Sequence, residues 1–291
     1  MSKSWTVGQF GLFRFLLGGF CFVHFSMLIP FAVELFSAGG MISEGSFSPL
    51  IRAFPNVLGL YDEAWFVVAL VSAAAIASVG LAIGWRDRAA ALFIAYVLAC
   101  LFGRNPLIAN PGLPYLGWML IALLAVPPAP SLCRAARRSR VTGGDWHMPR
   151  AVILAAWIVL ALTYTYSGYT KLLSPSWVAG DTIALVLDNP LARDTFIREF
   201  FGSLPPVVLK GLTWVILYVE LLFAPLALSR RLRPLLWAVM LVVQFGFLSL
   251  LNFADLTFPM LLMHLLTFDS RWLRDRTSQR DTMGKTCLSG P

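Results

Sequence analysis

Charge is sparse in this chain, and most of it falls between long apolar blocks rather than inside them. The blocks cover residues 10–36, 64–85, 89–102, 113–128, 151–169, 207–228, 235–253 and 256–268. A helix that crosses the hydrocarbon of a bilayer needs about 20 mostly apolar residues. The last block is short, so it spans with its flanks or is re-entrant. Hiding eight such blocks from water would need a polar shell that this chain lacks. It is 58% hydrophobic and 13% charged, against about 45–50% and about 25% in soluble domains. That balance excludes a soluble enzyme, a disordered chain and a disulfide scaffold. The expected fold is all-α, a polytopic transmembrane helical bundle of about eight spans.

The net charge of +8 is first a topology signal and carries no nucleic-acid signature. With eight spans both termini lie on one side. Placing them inside assigns seventeen Lys and Arg to inner segments and six to outer ones, and every inner segment contributes. The rule that inner loops are basic therefore puts both ends in the cytoplasm; the expected location is a bacterial inner (plasma) membrane. Block one is too long for a signal-peptide core, contains Arg14 and has no cleavage site after it. One transmembrane domain is expected over 1–273, followed by a polar, disordered cytoplasmic tail over 274–291. In the outer segment 170–206, residues 191–201 have Phe196, Ile197, Phe200 and Phe201 on one helical face and Arg193, Asp194, Arg198 and Glu199 on another. This reads as a short amphipathic helix that lies on the bilayer or packs on the bundle.

Polar groups inside a bilayer are costly, so each is a functional candidate. The richest run is 163–171, Thr-Tyr-Thr-Tyr-Ser-Gly-Tyr-Thr-Lys. Tyr164, Ser167 and Lys171 share a helical face; Tyr166 and Tyr169 share a neighbouring one with Thr170. Lys171 either snorkels to the headgroups or turns inward, where desolvation favours a neutral amine that can act as a base. Glu220 is the clearest intramembrane acid. It pairs with a cation or tyrosine between helices, or orients a base or a polar ligand group. Gln244 is helix–helix glue or a ligand contact. His24 and His264 read as satisfied core groups, and Arg14 and Glu34 as anchors. Asp255 has the position of a helix cap. Four dispersed cysteines, with no Cys-x-x-Cys or His-x-x-x-His pair, suggest no metal site. Nucleotide-binding and serine-hydrolase motifs are absent from the sequence.

The run Tyr166-Ser167-Gly168-Tyr169-Thr170-Lys171-Leu172, followed by Trp177-Val178-Ala179-Gly180, resembles the signature of the horizontally transferred transmembrane (HTTM) domain family. That family is related to the membrane part of the vitamin K-dependent gamma-glutamyl carboxylase. The resemblance extends to Glu220-Leu221, Ala224-Pro225, Phe258-Pro259 and Trp272, to Leu12-Phe13-Arg14-Phe15 upstream, and to residues 104–112. It implies that Lys171 is an outer-face base acting on a reduced quinone. It further implies a cofactor lined by Tyr166, Tyr169, Trp177, Glu220 and Gln244, with no metal. The stretch 105–115 lacks the histidine that the carboxylase carries there, and no large lumenal domain is expected. The expectation is therefore a quinol-dependent relative rather than a gamma-carboxylase. The alternative is a non-enzymatic membrane factor that helps mature or export a secreted peptide or lipid partner. The bilayer is the partner common to both.

Overall fold

A computed structural model of the chain describes residues 5–43, 45, 48–128, 146–252 and 254–272. The inner-loop arginines between 134 and 140 and the expected tail over 274–291 lie outside the described residues. Among those described, the chain is helical, and its only β feature is an isolated antiparallel bridge between Ala192 and Leu251. It forms two compact units. One is Thr6–Val152 with Asp255–Met263. The other is Ile153–Ala254 with Trp5 and the segment from His264.

In the first unit, α1 (Val7–Leu28) starts at a capping box, in which Thr6 accepts from the Gln9 amide and the Gln9 side chain accepts from Thr6 N. It runs through a 3-10 turn with Pro30 into α2 (Ala32–Phe36). Helix α3 (Ala64–Ile83) packs back along α1 and ends at Gly84, which has φ of 80°. That left-handed residue suits glycine, and a Cβ there would collide with the Arg14 guanidinium. Helix α4 (Asp87–Arg104) follows at once, then α5 (Leu113–Ala122), which closes in a 3-10 turn. Arg14 is not a snorkelling anchor. It is fully buried and donates to Asp87 Oδ2 at 2.8 Å. The tight turn carrying Asp87 brings a carboxylate to the Arg14 guanidinium, which makes burial tolerable.

The second unit holds α6 (Arg150–Leu172), the short helices α7 (Pro175–Ala179) and α8 (Thr182–Leu187), and α9 (Phe196–Gly202). It continues with α10 (Pro206–Leu221), α11 (Phe223–Ala227) and α12 (Arg233–Leu250). Helix α13 (Ala254–Thr267), with Pro259 inside it, is shared between the units. The expected surface helix is shorter than 191–201. Residues 191–193 pair with the end of α12 instead, Arg193 N donating to Leu250 O and Asn252 N to Leu191 O. Thr195 then caps α9. Phe196 and Phe200 are exposed, while Ile197 and Phe201 are half-buried.

Each apolar block in the sequence contains a helix, but length divides them. Four helical segments are long and apolar enough to cross a membrane: Val7–Phe36, Ala64–Ile83, Arg150–Leu172 and Arg233–Leu250. The pair α9 and α10, bent by 109°, makes a fifth if it is one broken span. Block six is interrupted at Leu222. Pro225 cannot donate to the carbonyl four residues back, and the Ala224 amide donates to Thr165 Oγ1 at 2.9 Å instead.

Close approach of α1 and α3 depends on Gly18, where a Cβ would lie 2.8 Å from the Ala82 Cα. Gly18→Val is expected to lower the unfolding midpoint in detergent by the equivalent of about 1–3 kcal/mol. Gly19→Ala, at a position with open space, should not lower it; thermal unfolding of both variants checks the contrast.

Candidate functional site

The 163–171 run forms the last turns of α6. With 3.6 residues per turn, Tyr164, Ser167, Gly168 and Lys171 fall along one face. Gly168 is buried against α10, where a Cβ would collide with the Leu221 backbone. Only glycine admits that approach, and it brings Glu220 of α10 next to Lys171. Lys171 Nζ donates to Glu220 Oε2 at 2.5 Å and to Ser167 Oγ at 2.6 Å. The Glu220 side chain is 3% exposed and that of Lys171 15%.

Trp177 completes the group. After α6 ends, Ser174 and Pro175 start α7, and Gly180 ends it with φ of 83°. This single-turn helix folds the indole of Trp177 over Lys171, with Nζ 4.9 Å from the ring centroid. Such a contact favours a cation on the ring face. Gly180 also lets α10 come close. A Cβ there would lie 3.1 Å from the Trp214 ring, and Trp214 Nε1 donates to Val178 O at 3.1 Å. The Trp-x-x-Gly spacing thus has a mechanical role: it places one indole on Lys171 and holds α7 against α10.

Lys171, Glu220 and Trp177 come together, and the other sequence candidates do not join them. Tyr166 and Tyr169 are 69% and 53% exposed. They lie about 140–160° round the helix from Lys171 by helical geometry, so they face outward. Gln244 of α12 belongs to a second cluster. Its Nε2 donates to Tyr164 Oη at 3.0 Å, and His264 Nε2 lies 3.4 Å from the same oxygen. All three residues are buried. His264 is therefore a satisfied core group, as the sequence suggests. The Tyr164 ring also packs at a tilt on Phe223, with centroids 4.9 Å apart. Tyr164 lies two turns, about 10 Å, from Lys171 along α6. Sequence reasoning missed Trp214 and the pairing of Tyr164 with Gln244. The first partners a backbone carbonyl 36 residues away, and the second needs the register of α12 and α13 against α6. Among the described residues no group of three or more His, Cys, Asp or Glu could hold a metal ion.

Chemically, the site offers an amine, a carboxylate and a hydroxyl within one hydrogen-bonded group, beside an aromatic face. It can hold a proton and pass it over a short distance. Comparison with family models, curated proteins and solved structures finds no match to this chain.

Removing one partner from a buried ion pair leaves an uncompensated charge, at about 3–5 kcal/mol. Lys171→Met should cost near that range, because Glu220 is the more deeply buried group. Glu220→Leu should cost less, because Lys171 retains Ser167 and some exposure. The double variant should recover most of the loss. Additive losses in denaturant unfolding of the three variants would show that the pair is not coupled.

Proposed function

We propose that this chain is an HTTM-type integral membrane protein in which Lys171 is the proton acceptor for a quinol-like cofactor at the outer face. The observation that carries the reading is the Lys171–Glu220 pair beneath Trp177. A bound quinol supplies an acidic hydroxyl and two reducing electrons. The residues fit such a group: an aromatic face adjoins a proton-holding pair in largely apolar surroundings. The Lys171 proton passes to Glu220 Oε2, and the free amine then accepts the hydroxyl proton. Ser167 keeps Nζ on this side of α6, and Trp177 stabilises the ammonium that results. Tyr166 and Tyr169 serve the bilayer-facing surface near helix ends, where tyrosine is favoured.

The proposal includes about eight spans with both termini cytoplasmic, in the inner membrane of a bacterium. It is supported by a helix in every apolar block and by the excess of basic residues in alternate loops. The shorter helices α5 and α13 reach across with their flanks. Single cysteines at opposite ends of a span test it. In intact cells an impermeant thiol reagent should label Leu60→Cys and Gly202→Cys but not Arg86→Cys or Arg231→Cys. Equal labelling of Leu60→Cys and Arg86→Cys would overturn the topology.

Exposure of Phe196 and Phe200, 78% and 59%, favours a second reading, a non-enzymatic factor that docks a secreted peptide or lipid through α9. Oxygen uptake by the purified protein with a reduced naphthoquinone separates the two. Lys171→Arg keeps a cation opposite Glu220 but cannot lose its proton. The quinol reading expects uptake by the wild type and a fall of at least about 100-fold in Lys171→Arg, the lower range for a lost general base. Equal rates in both proteins would overturn it. Loss of biological function in Phe196→Ser/Phe200→Ser but not in Lys171→Arg would establish the docking reading.

A further inference from the structure

A second site lies in the other unit, in the connection between α2 and α3. This connection is unusually well tied to the end of α4. Ser48 Oγ donates to Gly103 O at 2.6 Å, Asn56 Nδ2 to Cys100 O at 3.0 Å, and Tyr96 Oη to Pro55 O at 2.9 Å. Arg104 is fully buried and donates to Asp62 Oδ2, Ser37 O and Ile42 O. These bonds hold open a cavity of about 690 Å³, lined on its polar side by Arg52, Asn56 and Asp62 and on its apolar side by Ile51, Phe54 and Leu58. A cavity of that size suits a small molecule.

The charge balance of the wall is positive. Asp62 is already paired with Arg104 at 3.0 Å. Arg52 is exposed, and among the described residues no carboxylate pairs with it. Arg104 lies behind the wall made by Gly45 and Asp62, and its Nη1 is buried with no acceptor among the described residues. With the Asp62 carboxylate held by Arg104, the free guanidinium on the cavity wall is that of Arg52, which suits an oxygen-bearing anion. The aromatic residues on either side of Asp62 set the depth. Tyr61 and Trp65 are 42% and 65% exposed, pack edge to face at 5.9 Å and share a hydrogen bond. Exposed Trp and Tyr at a helix end mark the headgroup level of a bilayer.

We propose that this cavity binds the phosphate of an anionic phospholipid headgroup, with Arg52 as its charged contact and the Arg104–Asp62 pair behind the wall. The apolar wall takes the glycerol and the first methylenes. The inference rests on the membrane reading of the chain and not on Lys171.

The test is binding of a short-chain phosphatidylglycerol, below its micellar concentration, to the full chain in a non-ionic detergent. Calorimetry and the thermal midpoint are the readouts, with inorganic phosphate as a parallel probe. The expected result is saturable lipid binding that raises the midpoint and weakens about tenfold in Arg52→Gln, the loss of one charged hydrogen bond. Arg86→Gln, which removes an exposed arginine from the opposite end of α3, should leave binding unchanged. No saturable binding, or equal weakening by both variants, overturns the site. Phosphate binding as tightly as the lipid and depending on Arg52 overturns the lipid assignment in favour of a free anion. Oxygen uptake with the naphthoquinone should be the same in Arg52→Gln as in the wild type, so failure here and failure at Lys171 are told apart.

Discussion

Charge buried in an apolar chain must be paired, and that requirement organises this structure. Arg14 of α1 meets Asp87 at the start of α4. Arg104 at the end of α4 meets Asp62 in the connection before α3. Lys171 of α6 meets Glu220 of α10. Each pair joins two segments near a helix end. Desolvation offsets much of the Coulomb gain in such pairs, so they add little net stability compared with apolar packing. They act more strongly against alternatives. A slip of one helix by a single turn would leave a charge buried and unpaired, at several kcal/mol. The pairs therefore select the helix register, and the apolar surface supplies the bulk of the association.

Pairing at these distances requires the backbones to come close, and glycine provides the approach. Gly18 lets α1 sit against the Ala82 backbone, and Gly84 leaves room for the Arg14 guanidinium. Gly168 does the same for α6 and α10 one turn before Lys171. Any side chain at 168 would move α10 outward, and an ion pair of 2.5 Å would become two separate buried groups. Small residues in membrane helices have this general use, because close packing and hydrogen bonding drive association where lipid is as apolar as the helix. Here packing and chemistry meet in one turn of helix: the residue that permits contact is three before the residue that carries charge.

How much of this was legible in the sequence depended on the range of the interaction. Tyr164, Ser167 and Lys171 share a face by helical periodicity alone, and the charge of Glu220 inside an apolar block marked it at once. Trp177 was marked only by the family resemblance of the run from Lys171 to Gly180, and its place over Lys171 needed the fold of the short helix α7. The outward aim of Tyr166 and Tyr169 follows from the same periodicity once Lys171 is known to face inward, but the sequence left two orientations open. The pairing of Gln244 with Tyr164 was not legible, because its two residues lie 80 apart and depend on the rotation of α12. Neither was the short start of α9. The charges of 191–195 fit a helix, yet a bridge to Leu251 captured their backbone. Helix existence was readable from composition. Eight spans was the reading of block lengths, and the structure holds four helices of spanning length with a bent fifth.

The two polar clusters on α6 have related roles. Tyr164 Oη lies within hydrogen-bond range of Gln244 from α12 and of His264 from α13. A well-satisfied buried network of this kind resists rotation, because turning the helix would strand several polar groups at once. Lys171 is seven residues further along, nearly two full turns, so it inherits the angular setting of Tyr164 to within about 20°. The ring of Phe223, packed on Tyr164 just after α10 ends at Leu221, ties the same setting to the helix that carries Glu220. The aim of Lys171 at Glu220 is thus fixed from below by groups that never touch it. Loosening Tyr164 would act on the site through the rotation of α6, changing which face Lys171 presents while leaving its immediate neighbours in place.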